Sequence, residues 1–239
     1  MRNVFPPERI VGLTEETVET LYLLGEEHRI VGISGYTVRP PRTTREKPRV
    51  SAFTSADIPK ILALEPDLLF DVLRSPLGAM VGAADRADRL ASELEQGIAA
   101  ARLRAARLPW RPKVYFEEWD EPMISGIGWV SELIETAGGV DIFADRATFK
   151  SAKERIVSAA EVIERQPDII VGSWCGKKFR PERLARRPGF DRLPAVRSGA
   201  LHEIKSSFIL QPGPAALTDG LAALETIIAV PTKALAVFA

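Results

Sequence analysis

The sequence has a single cysteine and two histidines in 239 residues, and its 32 basic side chains are cancelled by 32 acidic ones. Each scarcity closes a class of function. Cys175 alone makes neither an internal disulfide nor a Cys-rich zinc site. His28 and His202 leave little for a histidine-based metal centre. A formal net charge of zero is wrong for a general polyanion binder. No run approaches the roughly 18 consecutive apolar residues that cross a bilayer. There is no Walker loop, no Rossmann glycine fingerprint and no Gly-x-Ser-x-Gly elbow; Gly32-Ile33-Ser34-Gly35 has the wrong spacing. Residues Met1 to Pro7 are polar and contain proline, without the basic, apolar and small-residue succession of a secretory signal. The location expected from this is cytoplasmic, or periplasmic if the true N-terminus is longer.

What is present is ordinary in bulk and uneven in detail. With 46% apolar and 27% charged residues the chain has the composition of a globular protein, and its length allows a real core. Charge is segregated, however. Lys113–Thr148 carries 2 basic and 8 acidic residues, and Phe149–Lys205 carries 13 and 7. A local −6 is thus followed by a local +6.

The order of elements predicts an α/β fold. Arg9–Leu13 and Arg29–Ser34 read as short buried strands, separated by a helix that Thr14 caps and Gly25 ends. A proline-rich loop follows from Tyr36 to Pro48. Asp57 then caps a helix running to Leu64, Pro66 breaks it, and Asp67–Phe70 is the next strand. Ala83–Leu108 carries Ala87, Leu90, Leu94, Ile98 and Ala101 at helical spacing. It predicts one helix of about 25 residues, roughly 37 Å long, ended by Pro109. A second α/β segment opens with the strand Lys113–Glu117, which runs into an acidic loop, Glu117–Pro122. Gly128–Ala137 reads as a helix, Ser158 caps Ala159–Arg165, Ile169–Val171 and Leu201–Ile204 are strands, and Ala215–Ala229 is a terminal helix. Ile61–Phe70 and Val162–Val171 echo one another weakly as helix, Pro-Asp and apolar strand, as two lobes of similar build would.

In open α/β sheets ligands sit at the loops that follow strands. Those loops carry Tyr36, Phe53, Trp119, Trp174 and Phe208, and five exposed aromatics point to a cleft for a large, partly flat ligand. Two other chemistries are available. Cys175 lies beside Lys177 and Lys178, which would lower a thiol pKa and make a Cys-dependent enzyme acting on a small metabolite the alternative function. Glu117, Glu118, Asp120 and Glu121 form a carboxylate cluster of the kind used for acid–base work or a hard cation, although a solvated acidic loop is the simpler reading. Lys177–Arg192 holds seven basic residues, but its Arg-Pro pairs and lack of interleaved aromatics do not fit nucleic acid.

Several of these segments, in this order, resemble one superfamily. They are Arg9–Leu13 with Thr20-Leu21, Val31-Gly32-Ile33 ahead of Tyr36 and Pro40-Pro41, and Lys60–Leu69. Further on come Val114–Trp119, Glu132-Leu133 with Ala137-Gly138-Gly139, Pro167–Val171 and Leu210–Pro214. The resemblance is to the class III periplasmic-binding-protein superfamily, specifically the vitamin B12 (cobalamin)-binding and iron-siderophore-binding components of ABC importers. It implies two α/β lobes joined by a long spine helix, with the ligand in an aromatic cleft between them. The implied division is 1–75 for an N-terminal lobe, 76–110 for the spine helix and 111–239 for the C-terminal lobe. After Phe70 the chain passes directly to Asp71 where the family continues, so the N-terminal lobe is expected to be truncated, with about three strands.

By position, the resemblance makes Tyr36 and Phe53 the cleft aromatics of the first lobe and Trp119, Trp174 and Phe208 those of the second. Arg39, Lys177 and Gln211 would meet amides or carboxylates of the ligand. Asp57 and Glu161 stand at or near the places where the family docks its permease. The expected protein is a non-enzymatic binder with no cofactor of its own, no nucleic-acid partner and no membrane-embedded part. Its ligand is a cobalamin-like corrinoid or an iron chelate, and its further partner is an ABC permease. A relative that binds protein instead is the remaining alternative.

Overall fold

The computed structural model describes residues 5–51, 57–66, 68–70 and 77–230, with 68–70 described in their backbone alone. The chain divides into two compact units, Met1–Gln96 and Gly97–Ala239.

The first unit alternates strands and helices: β1 (Ile10–Gly12), α1 (Glu15–Leu23), β2 (Ile30–Ser34), α2 (Thr43–Glu46), β3 (Arg49–Ser51), α3 (Ile58–Ala63), β4 (Leu68–Phe70) and α4 (Leu77–Met80). The strands form one parallel sheet in the order β3-β2-β1-β4. All three residues of β1 are buried, as in a parallel sheet covered on both faces. Successive side chains serve opposite faces. Ile10 packs with Val18, Leu21, Ile30, Ile33 and Leu77, while Val11 packs with Val50 and Ile61. Arg49–Ser51 is a fourth strand that the sequence pattern did not announce, since Val50 is its only apolar residue. Asp57 caps α3 as expected, its Oδ1 accepting from the Lys60 N–H at 3.1 Å.

The helix expected over Ala83–Leu108 is α5 (Ala84–Ala105). The division between the units falls inside it, at Gln96/Gly97. The second unit continues with β5 (Lys113–Asp120), β6 (Met123–Ser125), α6 (Gly128–Thr136), β7 (Val140–Asp141), α7 (Ala144–Ala147), α8 (Ala159–Arg165), β8 (Ile169–Gly172), α9 (Pro181–Ala185), α10 (Pro194–Ser198), β9 (Leu201–Glu203), α11 (Ser206–Ile209) and α12 (Leu221–Ala229). Its sheet runs β6-β5-β8-β9, with β7 also paired to β5. β5, β7, β8 and β9 are parallel; β6 alone is antiparallel. The period of two again splits the core: Val114, Phe116, Ile169 and Val171 serve one face, and Tyr115 and Ile170 the other.

Two sequence expectations are corrected here. The acidic segment Glu117–Pro122 is not a loop, because β5 extends to Asp120 and returns as β6. The alternation of β5 carries Glu117 inward, where a guanidinium compensates its charge, so pairing continues through the acids. The terminal helix is not uniform either: a π-helical turn, Ala216–Gly220, precedes α12. At Gly220 an added Cβ would lie 2.5 Å from the Phe208 carbonyl oxygen, so α11 presses directly on this turn.

Candidate functional site

The carboxyl ends of β5 and β8 bring one group of the singled-out side chains together. β8 ends at Gly172, where an added Cβ would come within 2.0 Å of the Phe179 ring. Only glycine admits that ring against the backbone, and the contact folds residues 173–178 back over the strand end. Trp174 consequently turns inward. It is 3% exposed, meets Phe179 edge-on with ring centroids 5.1 Å apart, and its Nε1 donates to Glu117 Oε1 at 2.9 Å.

Glu117 is fully buried at the centre of this group. The Tyr115 hydroxyl donates to its Oε2 at 3.0 Å, and Arg187 grips both carboxylate oxygens, with Nη2 3.0 Å from Oε1. Burial pushes the Glu117 carboxyl above the ordinary carboxylate range, while Arg187, Trp174 and Tyr115 hold it back. Burial, reinforced by Glu117, pushes the Tyr115 phenol well up and keeps it a donor. For Arg187, desolvation works against the charge, but the hydrogen bonds and charge of Glu117 prevail and its pKa rises. The guanidinium also donates to the Asp120 carbonyl at 3.2 Å, linking the buried pair to the β5–β6 turn.

Outside this layer lies a partly exposed rim. Asp120 is buried, and its carboxylate meets Lys177 Nζ at 3.0 Å and Arg183 Nη1 at 3.2 Å. Burial alone would raise Asp120; the two cations together outweigh it and lower its pKa. Lys177 Nζ also stands 3.8 Å from the centre of the half-buried Trp119 ring, a cation–π contact worth about 0.5–1 kcal/mol at such a site. Trp119 Nε1 donates to the Glu121 carbonyl at 2.8 Å, so the indole is fixed at its edge as well as on one face.

The other expected residues are placed as follows. Phe208, on α11, is half-buried against the second unit's core, and Gln211 follows it, half-buried. In the first unit Tyr36 follows β2 with half its surface exposed, and its backbone N–H donates to Ser34 Oγ at 3.2 Å. Arg39 donates from Nε to Glu19 Oε1 at 2.8 Å, so its guanidinium already has an acid. Phe53 lies outside the described residues. Asp57 is the exposed N-cap of α3; Glu161 completes the capping box of α8 with Ser158 and pairs with Arg146. Hydrogen bonds from Ser158, backbone first and then hydroxyl, lower the Glu161 pKa. Cys175 is exposed in the turn after β8. Among the described residues, no cluster of three or more His, Cys, Asp and Glu is arranged to hold a metal ion.

Arg187, which organises the inner layer, was not singled out from the sequence. Its signal lay in the opposed charge blocks: Glu117 belongs to the −6 block and Arg187 to the +6 block.

The sequence pattern of the periplasmic binding protein family matches residues 10–76 and 75–208. The chain belongs to that family. Among curated relatives, the vitamin B12-binding protein of Vibrio cholerae is 29% identical over 202 aligned residues, covering 71% of each chain. Among solved structures, the apo form of the periplasmic heme-binding protein RhuT from Roseiflexus sp. RS-1 superposes with a TM-score of 0.76 at 24% identity. It covers 92% of this chain and 99% of its own. The periplasmic vitamin B12-binding protein BtuF of Vibrio cholerae gives a TM-score of 0.72 at 22% identity, covering 93% and 97%. At these identities the structural likeness concerns the fold, two α/β units of the periplasmic binding protein class. Family membership also overturns the cytoplasmic expectation. The family and these structural relatives are periplasmic, and a polar stretch at Met1 carries no weight against that. No helix among the described residues is long and apolar enough to cross a membrane.

Proposed function

We propose that this chain is the ligand-capturing component of an ABC importer and that its cargo is a flat macrocycle, a corrinoid or a related iron chelate. The observation that carries the reading is the Trp119 indole. It stands half-buried at the carboxyl edge of the second sheet, held at its edge by Glu121 and on one face by Lys177. A fixed indole offers a flat apolar ligand a stacking surface without first losing rotamer freedom. Lys177 bridges Asp120 and the ring, so its ammonium can turn to an amide or carboxylate at the ligand's periphery while Arg183 stays with Asp120. Beneath the rim, Glu117, Tyr115, Arg187 and Trp174 lock the support. Trp174 therefore acts through the inner layer, not as a contact surface.

Phe208 and Gln211 extend the same edge, and Tyr36, Phe53 and Arg39 are the corresponding groups of the first unit. The permease partner would dock through the helix starts that carry Asp57 and Glu161. The vitamin B12- and heme-binding names of the relatives support this cargo class. A thiol enzyme built on Cys175 is the less favoured reading, since the relatives are binding proteins.

Calorimetric titration with cobalamin, hemin and a ferric siderophore tests the proposal. One of the three is expected to bind, with Trp119→Ala weakening it at least about ten-fold. Well-folded protein that binds none of them overturns the cargo claim.

A further inference from the structure

Between the β5–β6 turn and α9 is a pocket of about 360 Å³, joined to Trp119 through Lys177, which touches both the indole and the pocket's Asp120. It is lined by Arg183, Arg186 and Arg187, together with Asp120, Glu121, Pro122 and Met123. The three arginines are spaced i, i+3 and i+4, Arg183 on α9, Arg186 at its C-cap and Arg187 the residue after it, and all three line the pocket. Their duties differ. Arg187 is committed to buried Glu117. Arg183 Nη1 stands 3.2 Å from Asp120 Oδ2 as an ion pair, although that buried oxygen accepts no hydrogen bond, and its Nη2 donates at 3.4 Å to Glu121, a carboxylate 81% exposed. Arg186 is exposed and makes no ion pair among the described residues.

The groups around the pocket are Glu117, Asp120 and Glu121 against Lys177, Arg183, Arg186 and Arg187, leaving one cation over. Glu117 and Asp120 are buried and fixed, whereas Glu121 is free to swing into solvent. An entering anion thus displaces one weak contact and gains the outer fork of Arg183 and the open guanidinium of Arg186. Planar guanidinium forks recognise carboxylate and phosphate in this way. The volume lies at the low end of the range for a whole drug-sized ligand, which suits a side arm and not a macrocycle.

We infer that this pocket is an anion subsite that takes a peripheral carboxylate or phosphodiester of the macrocycle lying over Trp119. The inference rests on the cargo reading above. Its test is calorimetric titration of the wild type, Arg183→Gln and Arg186→Gln with three probes. Hemin bears two carboxylates, cobalamin bears a phosphodiester arm, and cobinamide is the corrinoid without that arm. Both arginines are largely exposed, so the variants fold. Arg186→Gln is expected to weaken the acidic-armed probe about ten-fold, less at high salt, and to leave cobinamide unchanged; Arg183→Gln, which also strips Asp120 of a cation and so ties Lys177 to it, is expected to weaken the acidic-armed probe more than cobinamide. A loss confined to hemin assigns the carboxylate; one confined to cobalamin assigns the phosphodiester. Wild type that binds an acidic-armed probe no better than the variants overturns the subsite and leaves the cargo reading standing. Wild type that binds none of the probes overturns both.

Discussion

Replacing Glu117 by Gln tests the architecture of the second unit at its most demanding point. The carboxylate accepts four hydrogen bonds on two oxygens, from Tyr115, Trp174 and twice from Arg187. A glutamine can keep its carbonyl towards Trp174 and Arg187 Nη2. Its NH2 then faces the Tyr115 hydroxyl, which can rotate and accept, and Arg187 Nη1, which cannot accept anything. One charge-assisted bond becomes a donor–donor clash, and a guanidinium with 16% of its side chain exposed loses its counter-charge. Breaking a buried pair from one side costs about 3–5 kcal/mol. The remaining bond from Arg187 to the Asp120 carbonyl, and its partial exposure, place this case near the lower end, at about 3 kcal/mol.

Urea unfolding followed by tryptophan emission is the appropriate assay. All four tryptophans, Trp110, Trp119, Trp129 and Trp174, belong to the second unit, so the signal isolates it. A loss below about 1 kcal/mol at unchanged m-value would refute the reasoning. A carboxyl already protonated at neutral pH tolerates an amide, and burial pushes Glu117 in that direction, so the outcome also decides whether the pair is ionised. The double variant Glu117→Met with Arg187→Met removes both charges. It should recover at least about 1.5 kcal/mol relative to the sum of the single changes.

Two further perturbations probe the site's support and the first unit. Gly172→Ala drives a methyl into the Phe179 ring, 2.0 Å away, and should cost about 2–3 kcal/mol while shifting Trp174 emission; wild-type melting and emission would show that the ring is not the constraint. Glu15, in the first turn of α1, is raised to about 7 by burial and then by Glu16 and Glu19. A raised carboxylate favours the fold when protonated, so its contribution is full below pH 4.5 and is lost as pH rises through about 7. The formal span of about 3 kcal/mol, discounted for partial exposure, leaves roughly 1–2 kcal/mol. Amide exchange of β1 and β2 should show that loss between pH 4.5 and 8 in the wild type and not in Glu15→Gln, and identical profiles would place Glu15 in solvent.

The parts of the fold that were legible are those whose signals are local. β1, β2 and β8 are apolar runs bounded by caps and breakers, and parallel pairing follows from the helices between them. β3 was not legible, because a lone Val50 becomes a strand only through neighbours distant in sequence. The acidic hairpin escapes the sequence pattern for a different reason. Alternation continues through Tyr115, Phe116 and Glu117, but a carboxylate in the inward register looks solvated until Arg187 is known to reach it. Trp119 and Lys177, separate candidates in the sequence, meet in the fold; Trp174, expected at a loop tip, is a buried prop. Nothing local distinguishes Trp119 from Trp174. The difference comes from Gly172 admitting Phe179, a contact set by three-dimensional packing.

The neutrality of the chain also acquires a physical meaning. Acids of the −6 block and cations of the +6 block meet as specific pairs: Glu117 with Arg187, Glu118 with Arg155, Asp120 with Lys177 and Arg183, and Asp145 with Arg165. The charges are therefore cancelled at contact distance, those of Glu117, Glu118 and Asp120 around the carboxyl edge of the second sheet and that of Asp145 towards its amino end, not by averaging over the surface. Such an edge projects little long-range field, so capture of a neutral flat ligand there rests on stacking and on pre-placed donors, not on electrostatic steering. Charge selectivity is then confined to whichever cation is left without a fixed acid. Within the pocket beside the β5–β6 turn that cation is Arg186, and under the subsite reading it is the group that separates acid-bearing from amide-bearing macrocycles.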